Sequence, residues 1–323
     1  MAGIEKIFRE SPRLWKTLTP VNLPKANIRG EIYDVSGAYL CKLKPVGPLS
    51  YGTFGIVEQF IRDASGICHD IVLKRPKKKG VNLTVEAFFQ NYIYEQFLSF
   101  GLGHAVPKVH DIFYHRPFGE VMFTMDYIEG SLLSVWCLEN ICRPGGVRLF
   151  VLLLLQIALV LEVLENEFHS DHRDLKVNNI LVKDIPIPLT ISWRGREKLV
   201  IFPFQVVFID FGFACRGEEV DVKGLDGIPL LDPCPKTGRD IFQILANFWS
   251  MPSLRGKLNT LWGKWIVERL SLTNTEYPCV RLCETKNDLE WLQGVTDSRE
   301  FCAPLCAPAR IIEDCMLALE DSL

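Results

Sequence analysis

Two rhythms of apolar and polar positions divide the chain. From about residue 38 to 75, short apolar or alternating runs, "AYLCKLKPV", "FGIVEQFIRD" and "HDIVLKRP", are broken by "GPLSYG" and "ASG", a pattern of strands and turns. "LTVEAFFQNYIYEQFLSFG" then carries apolar residues at near-helical spacing, with Gly101 as a stop, and "KVHDIFYH" and "EVMFTMDYI" predict two further strands. After "EGSLLSVW" the rhythm is helical through residue 168, and it returns in "DIFQILANFW", "LNTLWGKWIVERL", "DLEWLQGV" and "ARIIEDCMLAL". The expected fold class is α+β: a small antiparallel β lobe with one helix over 38–127, then a larger, mainly helical lobe over 128–323.

Three stretches stand apart from this plan. Residues 1–37 open amphipathically with "GIEKIFRESPRLWKTL" and pass through Pro20 and Pro24, which predicts an N-terminal extension with one short helix. "DIPIPLTISWRGREKLVIFPFQVVFID" predicts strands around an "RGRE" turn inside the helical lobe, an inserted hairpin at about 184–206. The apolar run 149–164, "LFVLLLLQIALVLEVL", is shorter than a bilayer span and is interrupted by Gln156 and Glu162, so it predicts a buried core helix. No repeat of solenoid length is visible.

Composition narrows the function classes. With 323 residues and 48% apolar side chains the chain can bury a substantial core. Its 36 basic and 39 acidic residues leave a net charge of -3, which argues against a nucleic-acid binder steered by global charge, so an anionic ligand must be held locally. Eleven cysteines, an odd number without a CxxC pair, predict reduced thiols in an intracellular, cytoplasmic setting rather than a disulfide framework. Cys279, Cys283, Cys302, Cys306 and Cys315 lack zinc-knuckle spacing and read as buried free thiols. The run "LKRPKKKG" reads as a solvated strand-to-helix loop around Arg75, Lys77, Lys78 and Lys79.

The chemistry concentrates in two places. "HSDHRDLKVNNIL", residues 169–181, crowds acids, bases and amides into one turn, and "VVFIDFGFA", residues 206–214, sets an acid after a buried-type strand. Phosphoryl transfer from Mg-ATP calls for such a set: one carboxylate to orient an acceptor hydroxyl, and another carboxylate with an amide oxygen to hold Mg²⁺. In this order the chain resembles the eukaryotic-type protein kinases from about residue 45 to 250, which implies a bilobal kinase-like fold with ATP and Mg²⁺ as cofactors and a protein serine or threonine as acceptor.

The resemblance implies roles residue by residue. "LSYGTFGIV" is similar to the glycine-rich phosphate loop, with Gly52, Gly55 and Val57 in place and Ser50 where the first glycine normally lies. "IVLK" puts Lys74 on the α and β phosphates, with Glu95 as its expected helix partner and Glu86 read as a solvated helix charge. "FTMDYIEGSL" resembles the hinge, with Met125 as gatekeeper, the backbone of Asp126 and Ile128 against adenine, and Glu129 near the ribose. Asp174 is expected to face the acceptor hydroxyl, Lys176 to neutralise the transferred group, and Asn179 and Asp210 to ligate the metal. His172 is expected to support the loop against Phe211, while His169 and Asp171 read as solvated or capping residues. Lys176 two positions after the acid is the serine/threonine-type pattern.

Departures from the family are as informative. Asn179 and Asp210 lie 31 positions apart, where relatives have about a dozen, and the hairpin accounts for the excess as a surface insertion. The Ala-Pro-Glu that closes the activation segment is missing, Asp240 is expected to anchor the catalytic-loop backbone, and Arg310 lacks the family's glutamate partner. Thr237 alone among Ser, Thr and Tyr lies between Asp210 and Asp240, which predicts activity without loop phosphorylation, with Glu218 and Glu219 available to Arg173. The combination looks most like the divergent kinases of large DNA viruses. Two alternatives stay open: a small-molecule phosphotransferase, favoured by the missing Ala-Pro-Glu, and a pseudokinase scaffold, suggested by Ser50 and the eroded segment.

Overall fold

The computed structural model describes residues 23–52, 55–78, 81, 83–216, 220–223, 229–232, 234–258, 261–271, 279–285, 289–298 and 300–320. The amphipathic opening, Thr53 and Phe54, Lys79, Glu218 and Glu219 therefore lie outside the described residues. The chain forms two compact units, one made of the chain up to Glu129 together with Asp210–Gly212, the other of Gly130–Ile209 and Phe213 onward.

Seven strands close into a barrel in the first unit: β1 (Lys25–Ala26), β2 (Glu31–Tyr33), β3 (Tyr39–Tyr51), β4 (Gly55–Ala64), β5 (Ile67–Pro76), β6 (Val109–His115) and β7 (Glu120–Asp126), in the order β1-β2-β3-β4-β5-β7-β6. All neighbours are antiparallel except β1 and β6, whose parallel pairing completes the closure. This corrects the reading of 1–37 as an extension, because β1 and β2 fall within it. They are two and three residues long, too short to show a period of two.

Alternation along β5 decides which way its side chains point. Ile71 and Leu73 join Ala26, Ile32, Cys41, Leu43, Phe113 and Met122 in the barrel core. Val72 faces the other way, with Leu83, Ala87, Val109, Phe123 and Met125, under helix α1 (Thr84–Ser99). Lys74 shares the parity of Val72 and so projects to the helix side.

The second unit holds the short sheet β13 (Gln205–Phe208), β10 (Ile180–Lys183) and β8 (Ser131–Leu132), together with helices α2 (Leu133–Trp136), α3 (Gly146–Glu162), α4 (Arg239–Ser250), α5 (Pro252–Leu258), α6 (Leu261–Leu270), α7 (Cys279–Thr285), α8 (Glu290–Thr296) and α9 (Pro308–Glu320). The apolar run becomes α3. With the turn that follows it, this helix is long and apolar enough to cross a membrane, but two thirds of its most apolar window is buried in this unit, with α9 packed along it. Gln156, which breaks the run, is fully buried and satisfied: its Nε2 donates to the Phe204 carbonyl at 3.2 Å and its Oε1 accepts the Val206 N–H.

The inserted hairpin is present as β11 (Ile187–Trp193) and β12 (Arg196–Phe202), paired in register from Ile187 opposite Phe202 to Trp193 opposite Arg196. Its two-residue turn, Arg194–Gly195, has φ of 50° and 73°, the left-handed pair that matches the twist of a hairpin.

Beyond Gly212, β14 (Cys215–Arg216) pairs with β9 (Ser170–Asp171), and β15 (Val220–Lys223) pairs with β16 (Pro229–Asp232). Cys215 and Cys234 form a disulfide with their Cα atoms 6.2 Å apart, which corrects the expectation of reduced thiols throughout. The cause is tertiary: β14 is brought to the turn after α3 by its pairing with β9, and nothing in a spacing of 19 announces it. Nine cysteines are free, and burial pushes the thiols of Cys283 and Cys306 up to about 12. Among the described residues the one cluster of possible metal ligands is Asp171, Cys215 and Cys234, of which the two sulfurs are bonded to each other.

Candidate active site

In the first unit, Lys74 Nζ donates to Glu86 and, at 2.7 Å, to Asp210 Oδ1. The Lys74 and Glu86 side chains are each 6% exposed, and that of Asp210 is 41% exposed. Burial alone would pull the Lys74 ammonium down, but the two carboxylates beside it hold it above its ordinary value. Burial pushes the Glu86 carboxyl up, against the pull of Lys74.

The partner of Lys74 is thus Glu86, a correction to the expectation of Glu95, which is exposed. The helix geometry gives the reason. Nine residues at 100° each turn Glu95 to the opposite face, whereas Gln90, Ile93 and Phe97 follow Glu86 down the buried one. That i, i+4, i+7, i+11 stripe was a signal in the sequence able to separate the two acids.

Ser50 and Val57 are opposite one another where β3 meets β4, and the Gly52 N–H donates to the Gly55 carbonyl at 2.9 Å, so the two sides of the glycine-rich stretch are paired. A Cβ on Gly55 would lie 3.0 Å from Lys74 Cε and 3.2 Å from the Arg75 carbonyl oxygen, so only glycine leaves the lysine stem its place. Lys77, expected in solvent, reaches the Gly52 carbonyl at 3.2 Å, and Arg75 pairs with Glu58 at 2.6 Å.

At the end of β7, Met125 is buried and its sulfur accepts from Gln90 at 3.3 Å. The Asp126 N–H donates to the Lys108 carbonyl at 2.9 Å. The Asp126 carboxylate lies 2.7 Å from His110. Ile128 is partly buried and Glu129 exposed in the extended stretch that follows.

Asp210 has φ of 65°, which turns its carboxylate toward Lys74, and Phe211 packs on Phe89 of α1 with ring centroids 6.0 Å apart.

The second unit carries the other half of the predicted set. Lys176 Nζ lies 2.7 Å from Asp174 Oδ2, and Asn179 Nδ2 donates to the Asp174 carbonyl at 2.8 Å and to its Oδ2 at 3.0 Å. The amide oxygen of Asn179 is thereby turned away from Asp174.

Asp240 anchors the loop as expected, accepting the His172 N–H at 2.7 Å and the Arg173 N–H at 2.9 Å. Gln243, one turn along α4, accepts the Leu175 N–H at 3.0 Å and donates to the Arg173 carbonyl at 2.8 Å. His172 Nε2 lies 3.0 Å from the Ile209 carbonyl, and its ring stands edge-on to Phe208.

Asp171 is no solvated residue: it is 1% exposed, accepts the Lys236 N–H at 2.9 Å and lies 3.4 Å from Arg239 Nε. Burial pushes its carboxyl well up. His169 is exposed, and Arg310 pairs on its own helix with Glu313 at 3.0 Å.

No family model matches the chain, and no curated protein matches it. Among solved structures it is similar to one described as the crystal structure of PF14_0431, kinase domain, at 14% identity over 84% of this chain and 94% of that one, with a TM-score of 0.44.

Proposed function

We propose that the chain is an ATP- and Mg²⁺-dependent protein kinase that transfers the γ-phosphate to serine or threonine hydroxyls. The observation that carries the reading is the buried Lys74 held between Glu86 and the half-exposed carboxylate of Asp210. A lysine desolvated and kept charged by two acids is suited to meet phosphate oxygens.

The donor set fits the metal. Asp210 supplies a carboxylate and Asn179 an amide oxygen, both hard ligands of the kind Mg²⁺ prefers. Bound Mg²⁺ supplies charge neutralisation on the phosphates. The chain's own residues do the rest: Gly52 and Gly55 let the backbone come close, Lys74 orients the phosphates, Asp174 aligns the acceptor hydroxyl, and Lys176 brings a positive charge to the same carboxylate. Lys176 at this position supports Ser/Thr preference over Tyr.

The test is transfer of labelled γ-phosphate from Mg-ATP to the protein itself and to basic and acidic protein acceptors, with small hydroxylated metabolites in parallel. Asp174→Asn is expected to lower the rate by about 10²-fold or more. Label on metabolites alone would replace the protein-kinase reading with the small-molecule one, which the missing Ala-Pro-Glu favours. ATP binding without any transfer would leave a scaffold.

A further inference from the structure

Arg173 sits immediately before Asp174, has φ of 65° and a side chain only 7% exposed. A left-handed backbone at a non-glycine residue persists only where its surroundings hold it, and a buried guanidinium needs an anion. Asp240 and Gln243 hold the backbone on both sides of it. One anion comes from a residue remote in the chain: Asp297 Oδ1, just past α8, lies 3.2 Å from Arg173 Nη2 and 3.8 Å from Arg239 Nη1.

The turn that carries Asp297 is itself tied to the same elements. Lys236 Nζ donates to the carbonyls of Thr296 at 3.1 Å and Ser298 at 2.9 Å. Thr296 Oγ1 accepts from Gln243 Nε2 at 3.0 Å, the same nitrogen that bonds the Arg173 carbonyl. Residues 296–298 thus meet the loop directly through the Asp297 carboxylate, and their hydroxyl and two carbonyls hold Gln243 and Lys236, which bond the loop in turn. Every group belongs to the chain.

We propose that Asp297 is a positioning residue for Asp174: it supplies from within the chain the anion that fixes Arg173, so the loop is set without an added phosphate. The proposal rests on the phosphotransferase reading above and names how that site is regulated, by constitutive pairing rather than by modification of Thr237.

The experiment compares full-length wild type, Asp297→Asn, Asp297→Glu, Thr296→Val and Thr237→Ala, each before and after phosphatase treatment. Steady-state transfer is read as kcat and KM for ATP, and amide hydrogen exchange is read over residues 171–179. Asp297→Asn is expected to lower kcat at least tenfold with KM for ATP within twofold, and to speed exchange at the loop. Asp297→Glu should recover most of kcat, a rescue that simple loss of packing would not show. Thr237→Ala and phosphatase treatment should change nothing. If Asp297→Asn does not fold, Thr296→Val, which removes the hydroxyl that accepts from Gln243 and donates to the Leu292 carbonyl at 3.1 Å, is expected to show the same pattern more weakly.

Wild-type kcat and exchange in a folded Asp297→Asn, or in Thr296→Val where Asp297→Asn does not fold, overturn the proposal, and so does activity that phosphatase removes. Should wild type label no acceptor at all, it is the kinase reading that fails. Exchange then still decides the role of Asp297, faster in the Asn variant if it positions the loop and unchanged if it does not.

Discussion

Glu86 and Glu95 are the same side chain on the same helix, and only their angular position separates a buried partner of Lys74 from a solvated charge. Glu86→Gln keeps the shape and removes the charge, so Lys74 loses one of its two anions. We expect transfer to fall by about tenfold or more, equivalent to about 1.4 kcal/mol of transition-state stabilisation. Glu95→Gln should leave kcat and KM unchanged in the same steady-state assay. Glu165 makes a different, pH-dependent prediction. Burial pushes its carboxyl up to about 7 from an ordinary 4.5, the Gly238 N–H at 3.2 Å opposes this, and the charge of Asp240 adds to it. Between those two values the folded protein keeps a proton that the unfolded chain has released, so stability falls as pH rises through the window and is level above it. The effect is on the order of 1–3 kcal/mol. Melting temperatures of Glu165→Gln should therefore decline less than those of wild type between pH 5 and 8.

At the scale of elements, the hairpin β11–β12 is tied down by a single acid on α9. Glu320 Oε1 accepts from Trp193 Nε1 at 2.9 Å and Lys198 Nζ at 3.2 Å, and Arg194 stacks on Trp193 with its charge 3.5 Å from Glu320 Oε2. These contacts are open to solvent screening, so Glu320→Ala should cause only a small drop in melting temperature and leave kcat as it is. A large fall in kcat would mean that the insertion serves the site. This element was legible in advance, because alternating apolar residues around Arg-Gly carry their own register. So was the anchoring role of Asp240, while the structure shows Lys74 beside Asp210 and Asn179 beside Asp174, residues that the local motifs had singled out. What escaped was set by distance in the chain or by brevity: β1 and β2 are too short to show a period, and Asp171, Asp297 and the bridged cysteines acquire their roles only when remote turns meet.

On the scale of the whole molecule, Lys74, Glu86 and Asp210 belong to one compact unit, and Asp174, Lys176 and Asn179 to the other. Asp210–Gly212 belongs to the first unit, and the residues on either side of it to the second. A ligand that binds the folded chain and not the unfolded one stabilises it by mass action, by about 2.7 kcal/mol at a hundred times its dissociation constant. Saturating Mg-ATP is accordingly expected to raise the melting temperature by roughly 3–8 °C, and Asp210→Asn to abolish most of that rise, as read by differential scanning fluorimetry with and without the metal. The bridge between Cys215 and Cys234, with a sequence separation of 19, closes a covalent ring in the chain that follows Gly212. A protease that cuts once inside the ring leaves two polypeptides joined as one molecule. They run as a single band until a thiol reductant is added, and then as two.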